Sequence, residues 1–229
     1  MDGSTWLTHG GRVIPSVYLY ETLLYYWVWW LIYESVGKVV TKYSLLHRLS
    51  IEKHTEAKTR IIGSIHALFI TYYTCNYLTN NIEYREWTMC LPISSAYGLV
   101  DMTVLTLNYK HFKKGYRVIC VHHLIMIFGP LTIIHEYGIL CSRLYLFEIT
   151  VPILDMSWYL YRTKQTASLV YKVNSVLTVI LFLIFRIMNG GYLAYALGTE
   201  HQYTFLMFAL TFLGLNLYWF KCLVCVVFT

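Results

Sequence analysis

Long apolar runs recur along this chain at about 15–37, 61–79, 88–108, 116–134, 138–161, 169–197 and 203–228. Each approaches the roughly 20 residues a helix needs to cross the hydrocarbon of a bilayer. A backbone inside lipid must satisfy its own hydrogen bonds, which leaves helices and closed barrels, and runs of this length select helices. The expected fold is therefore all-α: a polytopic membrane bundle of about seven transmembrane helices. Composition agrees, because 57% hydrophobic residues, 13% charged residues and a mean hydropathy of +0.50 over 229 residues are too apolar for a soluble domain.

The formal net charge of +6 could point to nucleic acid, but its placement points to a membrane. Lys38, Lys42, Arg48, Lys53, Lys58 and Arg60 lie between the first two spans. Lys110, Lys113, Lys114 and Arg117 lie between the third and fourth, and Arg162, Lys164 and Lys172 between the fifth and sixth. The opposite side holds Arg12, Arg85 and Arg143, so the balance is thirteen against three. This bias predicts a luminal or outside amino terminus and a cytosolic carboxyl terminus. No nucleic-acid partner is expected.

The start of the chain lacks a basic n-region and a cleavage motif, so the first span reads as an uncleaved signal anchor. Neither end shows a lipidation or retrieval motif. Residues 1–59 form an amino-terminal segment with the first span and a basic cytosolic loop, and 60–229 form a six-helix membrane domain. Within the loop, Leu45, Leu46, Leu49 and Ile51 alternate with bases in a pattern that predicts a surface amphipathic helix able to hold anionic headgroups. Six cysteines scattered over five spans, Cys75, Cys90, Cys120, Cys141, Cys222 and Cys225, read as core thiols rather than a disulfide framework. Cys222 and Cys225 make a lone CxxC, and no histidine pair has i, i+4 spacing, so no metal site is expected.

The costly residues are the polar ones inside the spans. Counted from the cytosolic end of each span at about 1.5 Å per residue, His66, Asp101, His122, His123 and Asp155 all fall at roughly 10 Å depth. Asn216 is a candidate for the same layer. Adjacent helical residues point about 100° apart, so one of His122 and His123 can meet Asp101 or His66 while the other faces a cavity. A carboxylate that accepts the Nδ1 proton would make such an imidazole a general base or nucleophile. Glu148 and Arg186 lie deeper, where a mutual ion pair is the economical expectation. Pro92, Pro130 and Pro152 suggest helices bent around a cavity, and Gly190-Gly191 a break in the sixth span.

The series Gly63-Ser64-x-His66-Ala67, Asp101, His122-His123, Glu148 with Pro152, Arg186-Ile187 and Asn216-x-x-Trp219-Phe220 resembles the TLC domain family. The likeness runs from about Arg60 to Phe228. It implies a multi-helix protein of the endoplasmic reticulum or a related endomembrane. Ceramide synthases of this family transfer a fatty acyl group from acyl-CoA to a sphingoid base; other members affect phospholipid composition or protein export. Mapped onto this chain, the family's paired histidine is His122 and His123, and its acidic position is Asp101. Met126 stands where ceramide synthases have threonine, and the stretch containing Glu148 replaces their His-Asp-x-x-Asp, so the chain is more similar to the small non-ceramide-synthase members.

Two functions are then expected. One is a protein of lipid metabolism or lipid homeostasis, with acyl transfer in a cytosol-facing cavity. There His122, His123 and Asp101 would be catalytic, and His66, Glu148, Asp155, Arg186, Asn216 and Trp219 would bind lipid. Acyl-CoA would be a substrate, with no bound cofactor, and membrane lipids the main partners. The other is a non-enzymatic lipid sensor or cargo-sorting receptor with the same cavity. Either is compatible with a homo-oligomer or a membrane-protein partner.

Overall fold

The computed structural model describes residues 8–9, 12–43, 51–112, 116–132 and 137–228. Two two-residue strands, β1 (Thr8–His9) and β2 (Arg12–Val13), pair antiparallel, and all later described elements are helical. They are α1 (Pro15–Tyr43), α2 (Ile51–Leu78), α3 (Tyr84–Thr88), α4 (Cys90–Leu107), α5 (Tyr109–Phe112) and α6 (Tyr116–Phe128), followed by α7 (Gly138–Ser142), α8 (Val151–Arg162), α9 (Leu169–Phe182), α10 (Asn189–Thr199) and α11 (Tyr203–Phe228).

Within the described residues, each apolar run falls on helix. Three stretches, Tyr84–Leu107, Leu169–Thr199 and Tyr203–Cys225, are long and apolar enough to cross a membrane, and Tyr116–Leu131 is a shorter apolar helix. Their outer faces carry large apolar side chains such as Leu169, Tyr195 and Met207, an arrangement that lipid tolerates and water does not. The helices touch in a ring: α1 packs on α2 and α4, α2 on α8, α8 on α9, α9 on α11, α11 on α6, and α6 on α4. Where α2, α3, α7 and α10 converge, an aromatic knot closes one end, with Trp87 fully buried and stacked on Tyr77 at 5.1 Å.

Prolines set where this ring is irregular. Pro130 has no N–H to give the Met126 carbonyl, so α6 passes into a 3₁₀ turn, Gly129–Thr132. The freed oxygens find partners across the bundle: Ser95 Oγ donates to Met126 O at 3.0 Å and Tyr18 Oη to Ile127 O at 2.7 Å, with the two hydroxyls themselves in contact. Pro152 has a similar effect upstream, where Arg143–Thr150 runs as eight residues of 3₁₀ helix between α7 and α8. So long a 3₁₀ run is rare and marks a place where tertiary contacts override local preference.

One expectation is corrected here. The break in the sixth span is a π-helical segment at Leu183–Met188, before the glycine pair rather than at it. Gly190 lies within α10, where a Cβ would sit 3.3 Å from both Leu213 and Phe147, so close helix approach explains the glycine. The basic loop's expected surface helix falls largely on residues outside those described. Its flanks are the end of α1 and the start of α2, whereas Leu45, Leu46, Leu49 and Arg48 lie outside the described residues.

Candidate functional site

The histidine pair on α6 divides as the helical geometry requires. His123, 4% exposed, points at α4, where its Nε2 lies 2.7 Å from Asp101 Oδ2. At that distance from a carboxylate the Nε2 proton is the donor, which leaves Nδ1 as the lone-pair nitrogen of the neutral ring. The carboxylate therefore holds the opposite ring nitrogen from the one expected. His123 Nδ1 is buried without a hydrogen-bond partner and faces the bare flank of Gly98, where a Cβ would lie 3.5 Å away.

His66 on α2 is fully buried behind this pair. Its Nε2 is 2.8 Å from Ser94 Oγ, and its ring stacks on Tyr97 at 4.1 Å with 11° between planes. Tyr97 then meets His123 edge-on at 6.0 Å. His66 thus reaches the pair through an aromatic spacer rather than a hydrogen bond. Ser94 and Tyr97 complete this arrangement, and sequence reading missed both. Serines clustered just after Pro92 in an apolar run were the available signal, because hydroxyls in lipid normally seek a partner.

His122 faces the other way. It lines a cleft of about 490 Å³, counting the part that opens outward, between α6, the 3₁₀ run and α11. The walls are apolar, with Ile125, Met126, Leu144, Phe205, Phe208 and Phe212 among them, and Glu148 brings a carboxylate to the same space. His122 Nε2 and Glu148 Oε1 are 3.9 Å apart, too far for a direct hydrogen bond and near enough for one ligand atom to contact both. Phe212 and Trp219 hold the imidazole edge-on at 5.0 and 5.9 Å. His122 Nδ1 is buried and unpartnered.

Arg186 does not pair with Glu148, which corrects the expected ion pair. The π segment turns its guanidinium inward, where Nε donates to Phe147 O at 3.0 Å and Thr150 Oγ1 at 2.7 Å. Its Nη1 donates to Asn216 Oδ1 at 3.1 Å, and Asn216 Nδ2 donates in turn to Phe212 O. Arg186 therefore donates to a carbonyl and a hydroxyl of the irregular 3₁₀ run and ties it to α11. Glu148 is left to the cleft.

Asp155 stands apart from the histidines. Arg60 Nη1 donates to its Oδ1 at 2.8 Å and Ser64 Oγ to its Oδ2 at 2.7 Å, which pins α8 to α2. The single polar layer predicted from depth is thus three groups in the structure: His123–Asp101 with His66 behind, His122–Glu148 on the cleft, and Asp155 with Arg60. Equal depth places residues at one height but leaves their direction around each helix undetermined. The thiols also separate: Cys90 and Cys141 are buried, whereas Cys222 and Cys225 are exposed on α11. Among the described residues no cluster of three or more His, Cys, Asp or Glu could hold a metal ion.

These features describe an integral membrane helical protein whose apolar cleft ends on a histidine and a carboxylate. The TLC domain model matches residues 49–225, more than half of the chain, and the protein belongs to that family. No solved structure matches it.

Proposed function

We propose that this protein handles membrane lipids in the His122–Glu148 cleft, as an acyltransferase acting on a fatty acyl thioester. The observation that carries this reading is an apolar cleft whose polar end is an imidazole with a carboxylate 3.9 Å away. The walls suit an acyl chain, while the two polar groups suit the reacting carbonyl and an acceptor hydroxyl or amine. His122 would take the acceptor's proton as its oxygen or nitrogen attacks the thioester carbon. The carbon–sulfur bond then breaks, and the proton passes to the departing thiolate. Acyl-CoA fits the donor role because basic residues crowd the loops expected on the cytosolic face. His123 and Asp101 would act from behind, fixing α6 against α4. Family membership supports lipid metabolism or homeostasis in an endomembrane such as the endoplasmic reticulum, while the apolar runs and the placement of Lys and Arg support seven spans with a luminal amino terminus and a cytosolic carboxyl terminus.

A second reading is non-enzymatic lipid binding, as in a sensor or cargo receptor. It draws on the burial of His123 and Asp101, which places the stronger hydrogen-bonded pair off the cleft. Lipid profiles of cells expressing wild type, His122→Ala and His123→Ala at equal abundance separate the two. Acyl transfer predicts that His122→Ala abolishes the wild-type shift in lipid species. An unchanged shift with His122→Ala ends the catalytic reading. A photoreactive fatty acid that labels wild type and His122→Ala equally, with no lipid shift from either, favours binding alone.

A further inference from the structure

A second polar cluster lies where α2 begins and α8 ends. Arg60 and Arg162 flank the indole of Trp158, their guanidinium carbons 4.8 and 5.6 Å from its ring, and Lys58 lies over the nearby Tyr33 ring. The acceptors facing them are Glu56 and Asp155. Asp155 is well used, at 2.8 Å from Arg60. Glu56 is stretched between both guanidiniums, at 3.2 Å from Arg60 and 3.4 Å from Arg162, longer than the roughly 2.7–2.9 Å of a settled charge-assisted bond. Two further donors, Arg162 Nε and Trp158 Nε1, have no acceptor at all. Arg60 and Arg162 side chains are still 34% and 31% exposed, so a group arriving from the bundle end can reach them.

Among the described residues, Arg60 and Arg162 share Glu56 as an acceptor, and Arg162 Nε and Trp158 Nε1 have none. From this imbalance we infer that the bundle end is a binding site for a phosphate group, with Arg162 as its main donor. A phosphate brings several acceptor oxygens to a forked guanidinium and relieves the shared demand on Glu56. Trp158 gives the fork a flat surface that fixes its plane. Arg60 contributes charge but is committed to Asp155, so its role is to hold Trp158 and α8 in place. The seven helical steps of α8 from Asp155 to Arg162 span about 10 Å, and Glu148 lies a further turn or two beyond. The site is thus distinct from the cleft, which is lined by the 3₁₀ run ahead of α8 and by none of the residues of α8 itself.

The phosphate could come from a lipid headgroup or from a nucleotide-linked carrier, and the test separates them. Purified full-length protein in neutral detergent is titrated with short-chain phosphatidic acid, coenzyme A and, as an uncharged control, pantethine, following the melting temperature. Wild type is expected to be stabilised by one or both phosphate probes and not by pantethine. Stabilisation by phosphatidic acid alone assigns a headgroup, and by coenzyme A alone a carrier. Arg162→Gln should weaken binding about tenfold or more, with Arg162→Lys between the two, because lysine keeps the charge and loses the fork. Cys222→Ser, exposed on α11 and outside both this cluster and the cleft, should bind as wild type does, and the readout is binding rather than lipid turnover, which keeps this outcome separate from the fate of the cleft. The inference is overturned if neither phosphate probe stabilises wild type, if pantethine stabilises equally, or if Arg162→Gln binds unchanged. Should Arg162→Gln fail to fold, an Arg162→Lys affinity equal to wild type has the same force.

Discussion

At the scale of single residues, the arrangement turns on which partner each costly polar group found. Asp101 and His123 hold each other at 2.7 Å with side chains only 11% and 5% exposed. Asp101→Ala strips the acceptor from a buried ring N–H and is expected to cost about 2–3 kcal/mol in detergent unfolding. Asp101→Asn keeps an oxygen for His123 Nε2 and should cost clearly less. Equal losses for the two variants would mean that the charge, not the hydrogen bond, carries the pair. Glu148 presents the opposite case, a buried carboxylate with no ion pair to Arg186 and with His122 Nε2 3.9 Å away, which suits a group kept for a ligand.

Irregularity dominates at the scale of elements. The 3₁₀ run Arg143–Thr150 and the π segment Leu183–Met188 face one another, and Arg186 from the second satisfies Phe147 O and Thr150 Oγ1 of the first. The π segment thus supplies donors that the 3₁₀ run accepts. The two glycines that follow test how tightly this part is packed. Gly191→Ala adds a methyl where nothing lies within 4 Å and removes backbone freedom, so it should stabilise by about 0.5–1 kcal/mol. Gly190→Ala pushes on Leu213 and Phe147 at 3.3 Å and should destabilise by about 1 kcal/mol or more. Thermal unfolding of both variants reads the contrast; if Gly190→Ala is also stabilising, the helices are not held as close as they stand here.

Across the whole molecule, the ends of antiparallel helices meet as a multipass chain requires. The start of α2 joins the end of α8 through Arg60–Asp155 and Arg162–Glu56. The end of α4 joins the start of α6 through Thr106 and Tyr116 at 3.0 Å. Both meetings lie on the side with more Lys and Arg, so glycosylation-acceptor tags should be modified at the amino terminus and not at the carboxyl terminus. Modification at the carboxyl terminus would invert the topology and move the phosphate-binding end to the lumen.

Sequence alone was enough for what depends on length and on one-dimensional pattern. The apolar runs foretold where helices lie, because crossing lipid demands a continuous stretch with self-satisfied backbone. The ordered motifs from Gly63 to Phe220 likewise indicated the family. Which way each side chain points was settled only in the tertiary structure. Depth counting grouped Asp155 with the histidines, but helix rotation handed it to Arg60 and Ser64. The expected Glu148–Arg186 pair gave way to a carbonyl, Phe147 O, and a hydroxyl, Thr150 Oγ1, 39 and 36 positions away in the chain, which take the guanidinium instead. Likewise, the choice of His122 for the cleft and His123 for Asp101 depends on how α6 is turned between α4 and α11. That rotation is set by long-range packing, and no local pattern encodes it.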